Sequence, residues 1–259
     1  MIGMMKFSAA VKTDPGLRRE GNEDSYSARQ DLGLFLVADG MGGHAAGEVA
    51  SRTACETIEK FISDTQEADH ESTWPFPYDN ELTLDGNRLK AAFKLANRKL
   101  GTAMEADEAL RGMATTAVAV LIAHGSPVVA HVGDSRLYVW RDGRLHQITQ
   151  DHSWVGEQVR AGMLSDADAR RHPWRNVVTR AIAGGDDPEV EVAEIAVKKG
   201  DRLLLCSDGL SAVITPEKIE EIMSERDSLE KTCQKLIDAA NAGGGPDNIT
   251  VVMLQVDAD

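Results

Sequence analysis

Apolar positions along the chain follow two spacings, and together they predict a mixture of strands and helices. Short apolar runs bounded by glycine or charged residues indicate buried strands. They occupy residues 5–12, 35–38, 114–123, 128–132, 137–140, 145–148, 201–206 and 249–254. Longer stretches place an apolar residue every three or four positions, which is typical of amphipathic helices. These stretches lie at about 45–63, 87–105, 216–226 and 229–241.

Several predicted strands follow one another without a helix between them, and this order favours antiparallel sheets. The clearest case is 137–148, where Arg141-Asp142-Gly143-Arg144 supplies the turn of a hairpin. Residues 64–87 form a long, irregular and acidic connection, and we expect the aromatic–proline cluster at 74–78 to pack onto the body of the fold.

Four aspartates stand at the ends of buried apolar runs. Asp39, Asp134 and Asp208 follow such runs, whereas Asp247 precedes one. In an antiparallel sheet the end of one strand lies beside the start of its neighbour, so these carboxylates can converge on one rim. Aspartate is also common in turns, which is the structural alternative. Clustered carboxylates need compensating charge, and oxygen ligands favour Mg²⁺ or Mn²⁺ over zinc.

Other residues near these runs are candidates for the same site, and two of them, Arg19 and His44, also have a structural interpretation. Gly40 lacks a side chain, so its carbonyl can approach an ion beside Asp39. Arg19 is either a solvated loop residue or a fork that grips phosphate oxygens. Asp24, with the preceding glutamate, would then contribute to a metal's ligand shell. His44 is either a loop residue near a helix start or a proton donor at the mouth of the site.

The segment 150–187 is the most basic region of an acidic chain. Arg170, Arg171, Arg175 and Arg180 lie there, whereas the whole sequence has a net charge of −14. One interpretation pairs these arginines with the aspartates at 166, 168, 186 and 187. The functional interpretation is a flap beside the active site that contacts an anionic substrate.

Composition narrows the class of protein further. A net charge of −14 disfavours binding to nucleic acid and to anionic membranes. No apolar run approaches the roughly 20 residues of a membrane span, and the N-terminus has no signal-peptide layout. The three cysteines form no CxxC pair and lie in apolar patterns, which is typical of a reduced, cytoplasmic protein. No linker divides the chain, so we expect one domain over residues 1–259.

Seven segments of the chain are distinctive when they are taken together and in order. They are GLRREGNED (16–24), VADGMGGHAAGEVAS (37–51), GMATTAVAVLI (112–122), HVGDSRLYVWRDGRLHQITQDHSWV (131–155), HPWRNVVTRAIAG (172–184), LLLCSDGLS (203–211) and GGGPDNITVVML (243–254). They are spread over residues 16–254. This set of segments resembles the metal-dependent serine/threonine protein phosphatases of type 2C, especially bacterial single-domain members.

The resemblance implies an α+β fold in four layers, an αββα sandwich of two antiparallel sheets flanked by helices. It also implies a pair of Mn²⁺ or Mg²⁺ ions. Asp39 would bridge both ions, and the carbonyl of Gly40 would ligate one of them. Asp208 and Asp247 would complete the other. Asp134, together with Asp208, would hold a weaker third ion.

The same resemblance assigns residues to the substrate. Arg19 would hold the substrate phosphate, and Asp24 would act at the metals directly or through water. Residues from about 153 to 178 would form the flap. Some animal members carry a histidine two residues after the bridging aspartate as a general acid, but this chain has Met41 there. The acid is therefore His44, a metal-bound water or bulk water.

These observations lead to the hypothesis of a phosphoserine/phosphothreonine protein phosphatase that uses a metal-activated bridging water without a covalent intermediate. Its expected partners are phosphoproteins, including a bacterial serine/threonine kinase and the targets of that kinase, and we expect a monomer. Two alternatives stay open at this point. One is a phosphatase that acts on a small phosphoester, and the other is an inactive phosphopeptide-binding regulatory module.

Overall fold

Two antiparallel sheets face each other in the computed structural model, which describes residues 6–43, 46–67 and 74–257. The first sheet has the order β1 (Phe7–Asp14), β11 (Ile249–Val256), β10 (Arg202–Cys206), β7 (Arg136–Arg141) and β8 (Arg144–Gln147). The second has the order β2 (Asp24–Arg29), β3 (Leu34–Met41), β5 (Ala117–Leu121), β6 (Val128–Val132) and β9 (Glu191–Glu194), and β4 (Ala114–Thr115) pairs with β3.

Helices cover the outer face of each sheet. The pair α1 (Ala46–Asp64) and α2 (Leu84–Ala106) packs on the second sheet, and the pair α6 (Pro216–Ser224) and α7 (Leu229–Ala242) packs on the first. Three short helices, α3 (Trp154–Arg160), α4 (Asp166–Ala169) and α5 (Asp208–Ser211), lie in the connections. The predicted α+β fold, a four-layer αββα sandwich, is confirmed.

The central strands are buried on both faces, which explains their unbroken apolar runs. In β3, Leu36 points into the cluster beneath α1 and α2, whereas Phe35 and Val37 point into the cluster between the two sheets. Successive strand residues face opposite sides, so one strand supplies two cores. This double burial fixes the register of β3 and hence the position of the residues at its end.

Strand β3 continues beyond the predicted limit at residue 38. It passes through Asp39 and Gly40 to Met41 because β4 pairs with its last two residues, Gly40 with Thr115 and Met41 with Ala114. The expectation that Asp39 lies just after the strand is therefore wrong by a few residues. Strands β2 and β9 were not predicted, since both are rich in polar residues and lie at the edges of the sheet.

The cluster at 74–78 packs against α2, as expected. The ring of Phe76 lies beneath the guanidinium of Arg98 at 4.1 Å and near the Nζ atom of Lys94 at 5.3 Å. Trp74 and Tyr78 contact each other with ring centroids 5.5 Å apart. Cation–π contacts of this kind attach the connection to the helix surface.

Two further expectations concern burial and membranes. The three cysteines are free and buried within the apolar clusters or directly beneath them, which confirms that they pack as small hydrophobic residues. Among the residues that the structure describes, no helix has the length and apolar character of a membrane span.

Candidate metal centre

The fold brings five aspartates from distant parts of the chain to one rim. Asp24 on β2 and Asp39 on β3 are register partners across the strand pair. Burial raises the pKa of Asp39 well above its usual range, and the negative charges of Asp24, Asp208, Asp134 and Asp247 raise it further. The charges of the other four carboxylates therefore all act on Asp39, which is itself poorly solvated.

Asp24 is held on one side only. Its Oδ2 atom accepts a hydrogen bond of 2.8 Å from the hydroxyl of Ser207, whereas its Oδ1 atom has no partner. Burial raises the pKa of Asp24 to about 7, against hydrogen bonding that lowers it. A buried carboxylate oxygen without a donor is unusual in a native fold and indicates a missing ligand.

Asp134 and Asp208 form the other side of the cluster. Asp134 is 8 % exposed, and burial followed by the charge of Asp208 raises its pKa to about 8. Burial and then Asp247 raise the pKa of Asp208, while a hydrogen bond with Asp39 lowers it. Burial and mutual repulsion therefore favour the protonated form of these two carboxylates.

Arg19 is the cation that contacts this cluster directly. Its Nη2 atom donates a hydrogen bond of 2.8 Å to Oδ2 of Asp247, and this bond raises the pKa of the arginine. About half of the Arg19 side chain is exposed. The guanidinium therefore lies at the mouth of the site, with donors available to an anion that enters from solvent.

Gly40 is required by the close approach of neighbouring backbone. A Cβ atom at this position would lie 2.1 Å from the carbonyl oxygen of Gly47 and 2.6 Å from that of Glu23. The amide of Gly40 donates to the Glu23 carbonyl at 3.2 Å. The start of α1, the end of β3 and the loop before β2 can therefore meet only because no side chain intervenes.

Asn248 organises the loop that carries Arg19, and sequence reasoning gave it no role. Its Oδ1 atom accepts from the Glu23 amide at 2.7 Å, and its Nδ2 atom donates to the carbonyls of Gly21 and Pro15 at 2.8 and 3.0 Å. Ser207 acts similarly, because its hydroxyl also accepts from the Thr250 amide at 3.0 Å. Both residues lie in recognised motifs, but their partners are distant in sequence.

A cavity of about 660 Å³ leads away from the cluster. Asp134 and Asp208 line one part of it, and residues of α3, α4 and the start of α6 line the rest. The segment 153–178 forms one wall and is closed at its base, since Ser153 and Val178 form an antiparallel bridge. The amide of Trp154 donates to the Val177 carbonyl at 2.8 Å.

The arginines of this region do not form ion pairs with the aspartates at 166, 168, 186 and 187 in the described structure, although the structural interpretation required such pairs. Arg180 forms ion pairs with Glu189 and Glu191, at 3.3 and 3.4 Å, instead of with the nearby aspartates. Arg170 donates to the carbonyl of Ser211 at 3.3 Å. Within the described residues, Arg175 lines the cavity and has no ion pair. Cationic groups therefore remain available to an anionic ligand there.

His44 lies outside the described residues, so its predicted role stays a prediction. Met41 is the last residue of β3 and pairs with Ala114. A thioether carries no transferable proton, so Met41 is excluded as a general acid.

The residues present fit a hard divalent cation. Every candidate ligand offers oxygen, one carboxylate oxygen is without a partner, and several carboxylates carry raised pKa values. Carboxylates that repel one another become ionised together when a cation compensates their charge. The sequence-predicted residues Arg19, Asp24, Asp39, Gly40, Asp134, Asp208 and Asp247 all lie at or beside this cluster.

We predict a pH dependence of stability that Asp134→Asn reduces. In the metal-free folded chain Asp134 keeps its proton up to about pH 8, whereas in the unfolded chain it loses the proton near its usual pKa of about 3.9. The folded state binds more protons between these values, so the free energy of unfolding falls as the pH rises. Urea unfolding in EDTA at about pH 5.5 and pH 8 measures this fall.

Between the two pH values, the free energy of unfolding should fall more in the wild type than in the Asn variant. The difference should be about 1.4 kcal/mol for each pH unit that lies between the pKa of Asp134 in the unfolded chain and its pKa in the folded chain. Parallel losses in the two proteins would show that Asp134 is not the desolvated carboxylate described above.

Comparison with known proteins places this arrangement in a family. The family model described as Protein phosphatase 2C matches residues 18–245. A serine/threonine phosphatase of Listeria monocytogenes, stp, is 35% identical over 255 residues, which cover 96% of each chain. The crystal structure of the Mycobacterium tuberculosis serine/threonine phosphatase PstP/Ppp is similar with a TM-score of 0.83 and 36% identity, covering 97% of this chain and 99% of that one.

A second structure, the catalytic domain of the serine/threonine protein phosphatase PstP in complex with two manganese ions, has a TM-score of 0.81 and 36% identity. It covers 97% of this chain and 99% of that chain. The similarity of sequence and fold thus extends over nearly the whole length. The chain belongs to the protein phosphatase 2C family.

Proposed function

We propose that this protein hydrolyses phosphoserine and phosphothreonine in protein substrates and that it requires Mn²⁺ or Mg²⁺. The observation that carries the proposal is the convergence of five aspartates beside the exposed fork of Arg19. Relatives that share the full length are named serine/threonine phosphatases, and the PstP catalytic domain binds two manganese ions. Both facts support the proposal.

The proposed ligands are the oxygen groups of the rim, with the roles that the family resemblance implies. Asp39 lies among all the other aspartates and would bridge two ions, with the Gly40 carbonyl, Asp208 and Asp247 as further ligands. Asp134 faces Asp208 and would hold a third, weaker ion with it. Asp24 would act from the side, where its free Oδ1 atom lies. When bound, the two cations would lower the pKa of a water and neutralise phosphoryl charge.

Arg19 would orient the substrate phosphate. A guanidinium presents two parallel N–H donors, which match two oxygens of a phosphoryl group. In the absence of cations Arg19 pairs with Asp247. Cations that coordinate the Asp247 carboxylate would weaken this ion pair and leave the Arg19 guanidinium available to the substrate. Binding of cations would therefore favour binding of the phosphate by Arg19.

The remaining assignments concern the whole chain. We propose a single catalytic domain over residues 1–259, with 153–178 as a flap that borders the substrate groove. We also propose that the enzyme is a monomer. The three buried free thiols support a reducing, cytoplasmic location. A bacterial serine/threonine kinase and its targets are the proposed source of substrates.

The groove favours a protein substrate over a small phosphoester. The groove has a volume of about 660 Å³, which is far more than a phosphoryl group fills. It begins beside Asp134 and Asp208 and extends along the 153–178 segment. The intact set of carboxylates argues against an inactive binding module, since a module that only binds phosphate would gain nothing from concentrated negative charge.

Release of phosphate from a phosphothreonine peptide tests the proposed function. We expect release by the wild type with Mn²⁺ and none in excess EDTA. Asp39→Asn should reduce kcat by about 100-fold or more, because it removes a charged ligand from the position nearest both ions. Circular dichroism and a thermal unfolding curve of the metal-free variant would show that it folds.

Two outcomes would contradict the proposal. Full activity of the wild type in EDTA would exclude the metal mechanism. Turnover of phenyl phosphate with Mn²⁺, without turnover of any phosphopeptide, would assign the site to small phosphoesters instead.

A second prediction compares two adjacent arginines. Arg19→Ala should lower kcat/KM for the phosphopeptide by roughly 10- to 100-fold, since hydrogen bonds to charged groups contribute about 1.5–3 kcal/mol. Arg18→Ala removes the same charge from the next residue, which is exposed and has no ion pair within the described structure. Steady-state kinetics at saturating Mn²⁺ should therefore show little change for Arg18→Ala. Equal losses in both variants would indicate a general effect of charge.

A further inference from the structure

A second cationic cavity, of about 310 Å³, lies at the other end of the first sheet. Trp140 on β7, Arg202 on β10 and Gln255 on β11 form one register row across three neighbouring strands, and all three line it. Arg202 begins β10, whereas Asp208 follows the end of that strand. The four steps along β10 alone separate them by roughly 13 Å, at about 3.3 Å per residue.

Arg202 is a buried cation without an anionic partner. It is 8 % exposed. Its Nε atom donates to Oε1 of Gln255 and its Nη2 atom to the carbonyl of Asp227, both at 3.0 Å, but its Nη1 atom has no partner among the described residues. Both acceptors are neutral, and no carboxylate of the described residues lies within ion-pair distance of this guanidinium. An uncompensated buried charge is costly and requires an explanation.

Other groups around the cavity share this excess of donors. The indole N–H of Trp140 is buried and has no acceptor in the part of the chain that the structure describes. Lys199 and Arg226 line the cavity, are exposed and form no ion pair within the described part of the chain. Burial, followed by the positive charge of Arg226, lowers the pKa of Arg202, and the charge of the Asp227 carboxylate raises it. That carboxylate already pairs with Lys231 and Lys235, at 2.8 and 2.5 Å.

The acidic residues of the cavity are already paired elsewhere. Asp201 accepts from Nε of Arg141 at 3.0 Å and from the amide of Lys198 at 2.8 Å. Asp142 pairs with Nζ of Lys198 at 2.6 Å. Their charges are thus compensated by cations that do not line the cavity. Three cationic side chains remain in excess, although the whole protein has a charge of −14.

The backbone at Arg226 supports a specific role for its side chain. Arg226 follows α6 with a φ angle of 54°, in the left-handed region. Helices commonly end with such a residue, but glycine is favoured there because a side chain adds strain. This chain places an arginine at that position, which adds a second guanidinium to the cavity.

We propose that this cavity binds a phosphate-type oxyanion, either free or as the phosphoryl group of a small organic phosphate. The unpartnered groups are all donors or cations, so the ligand must be rich in acceptors and negatively charged. Guanidinium groups match the oxygens of such an anion. The site is separate from the carboxylate rim and does not depend on the proposed catalytic function.

Calorimetric titration of the metal-free, full-length chain tests this site. Without cations the aspartates repel anions, which isolates the second site. Inorganic phosphate, sulfate and phenyl phosphate would be titrated at constant ionic strength, because general screening of a −14 protein must not change. We expect saturable binding by the wild type. Phosphate that binds more tightly than phenyl phosphate would identify the free ion as the ligand, and the reverse order would identify an organic phosphate.

Variants assign the binding to named residues. Arg226→Ala should weaken it by about tenfold or more, since a charge-assisted hydrogen bond is lost. Arg202→Met is a second variant that removes the buried guanidinium. Lys99→Ala, which removes an exposed charge from α2, and Arg19→Ala at the other site should leave the binding unchanged.

Two results would overturn the proposal. One is the absence of saturable binding for all three anions, which would leave only water in the cavity. The other is binding that Arg19→Ala abolishes and Arg226→Ala does not change. Because Arg226 is exposed, its variant should fold even if Arg202→Met does not.

Discussion

Mutual repulsion among carboxylates that water solvates poorly is the constraint on which the site depends. Asp24, Asp39 and Asp134 each carry a raised pKa, and burial is the largest cause in every case. Such a cluster lowers the stability of the folded chain near neutral pH unless a cation binds. The fold is therefore less stable than it would be without this cluster, but the cluster provides oxygens between which divalent cations can bind. Cations that bind only the folded state stabilise it in turn.

The two sheets hold these charges in place against their repulsion. The double burial of β3 fixes Asp39, and β4 extends that strand so that Gly40 is part of the ladder. Ser207 and Asn248 connect loops that are distant in sequence through hydrogen bonds of 2.7–3.0 Å. Because these bonds end on backbone groups or on Asp24, the fold itself positions the Asp24 carboxylate and the loop that carries Arg19.

Much of this could be predicted from sequence because the signals were local. The apolar run before Asp39 marks a strand, and Asp208 and Asp247 adjoin similar runs. What escaped prediction depends on long-range pairing. The extension of β3 requires β4, and the roles of Ser207 and Asn248 require partners up to 233 residues away. Arg180 pairs with glutamates that follow the aspartates expected for it, since the path of the chain and not proximity in sequence decides ion pairs.

Calorimetric titration of Mn²⁺ into the metal-free chain decides whether the aspartates of the rim form one metal centre. We expect about two tight sites per chain, in line with the two-ion arrangement, and loss of tight binding in Asp39→Asn. We expect no change for Asp238→Asn, which alters an exposed aspartate on α7. Unaltered Mn²⁺ binding by a folded Asp39→Asn variant would contradict the claim that this residue joins the carboxylates into one metal centre.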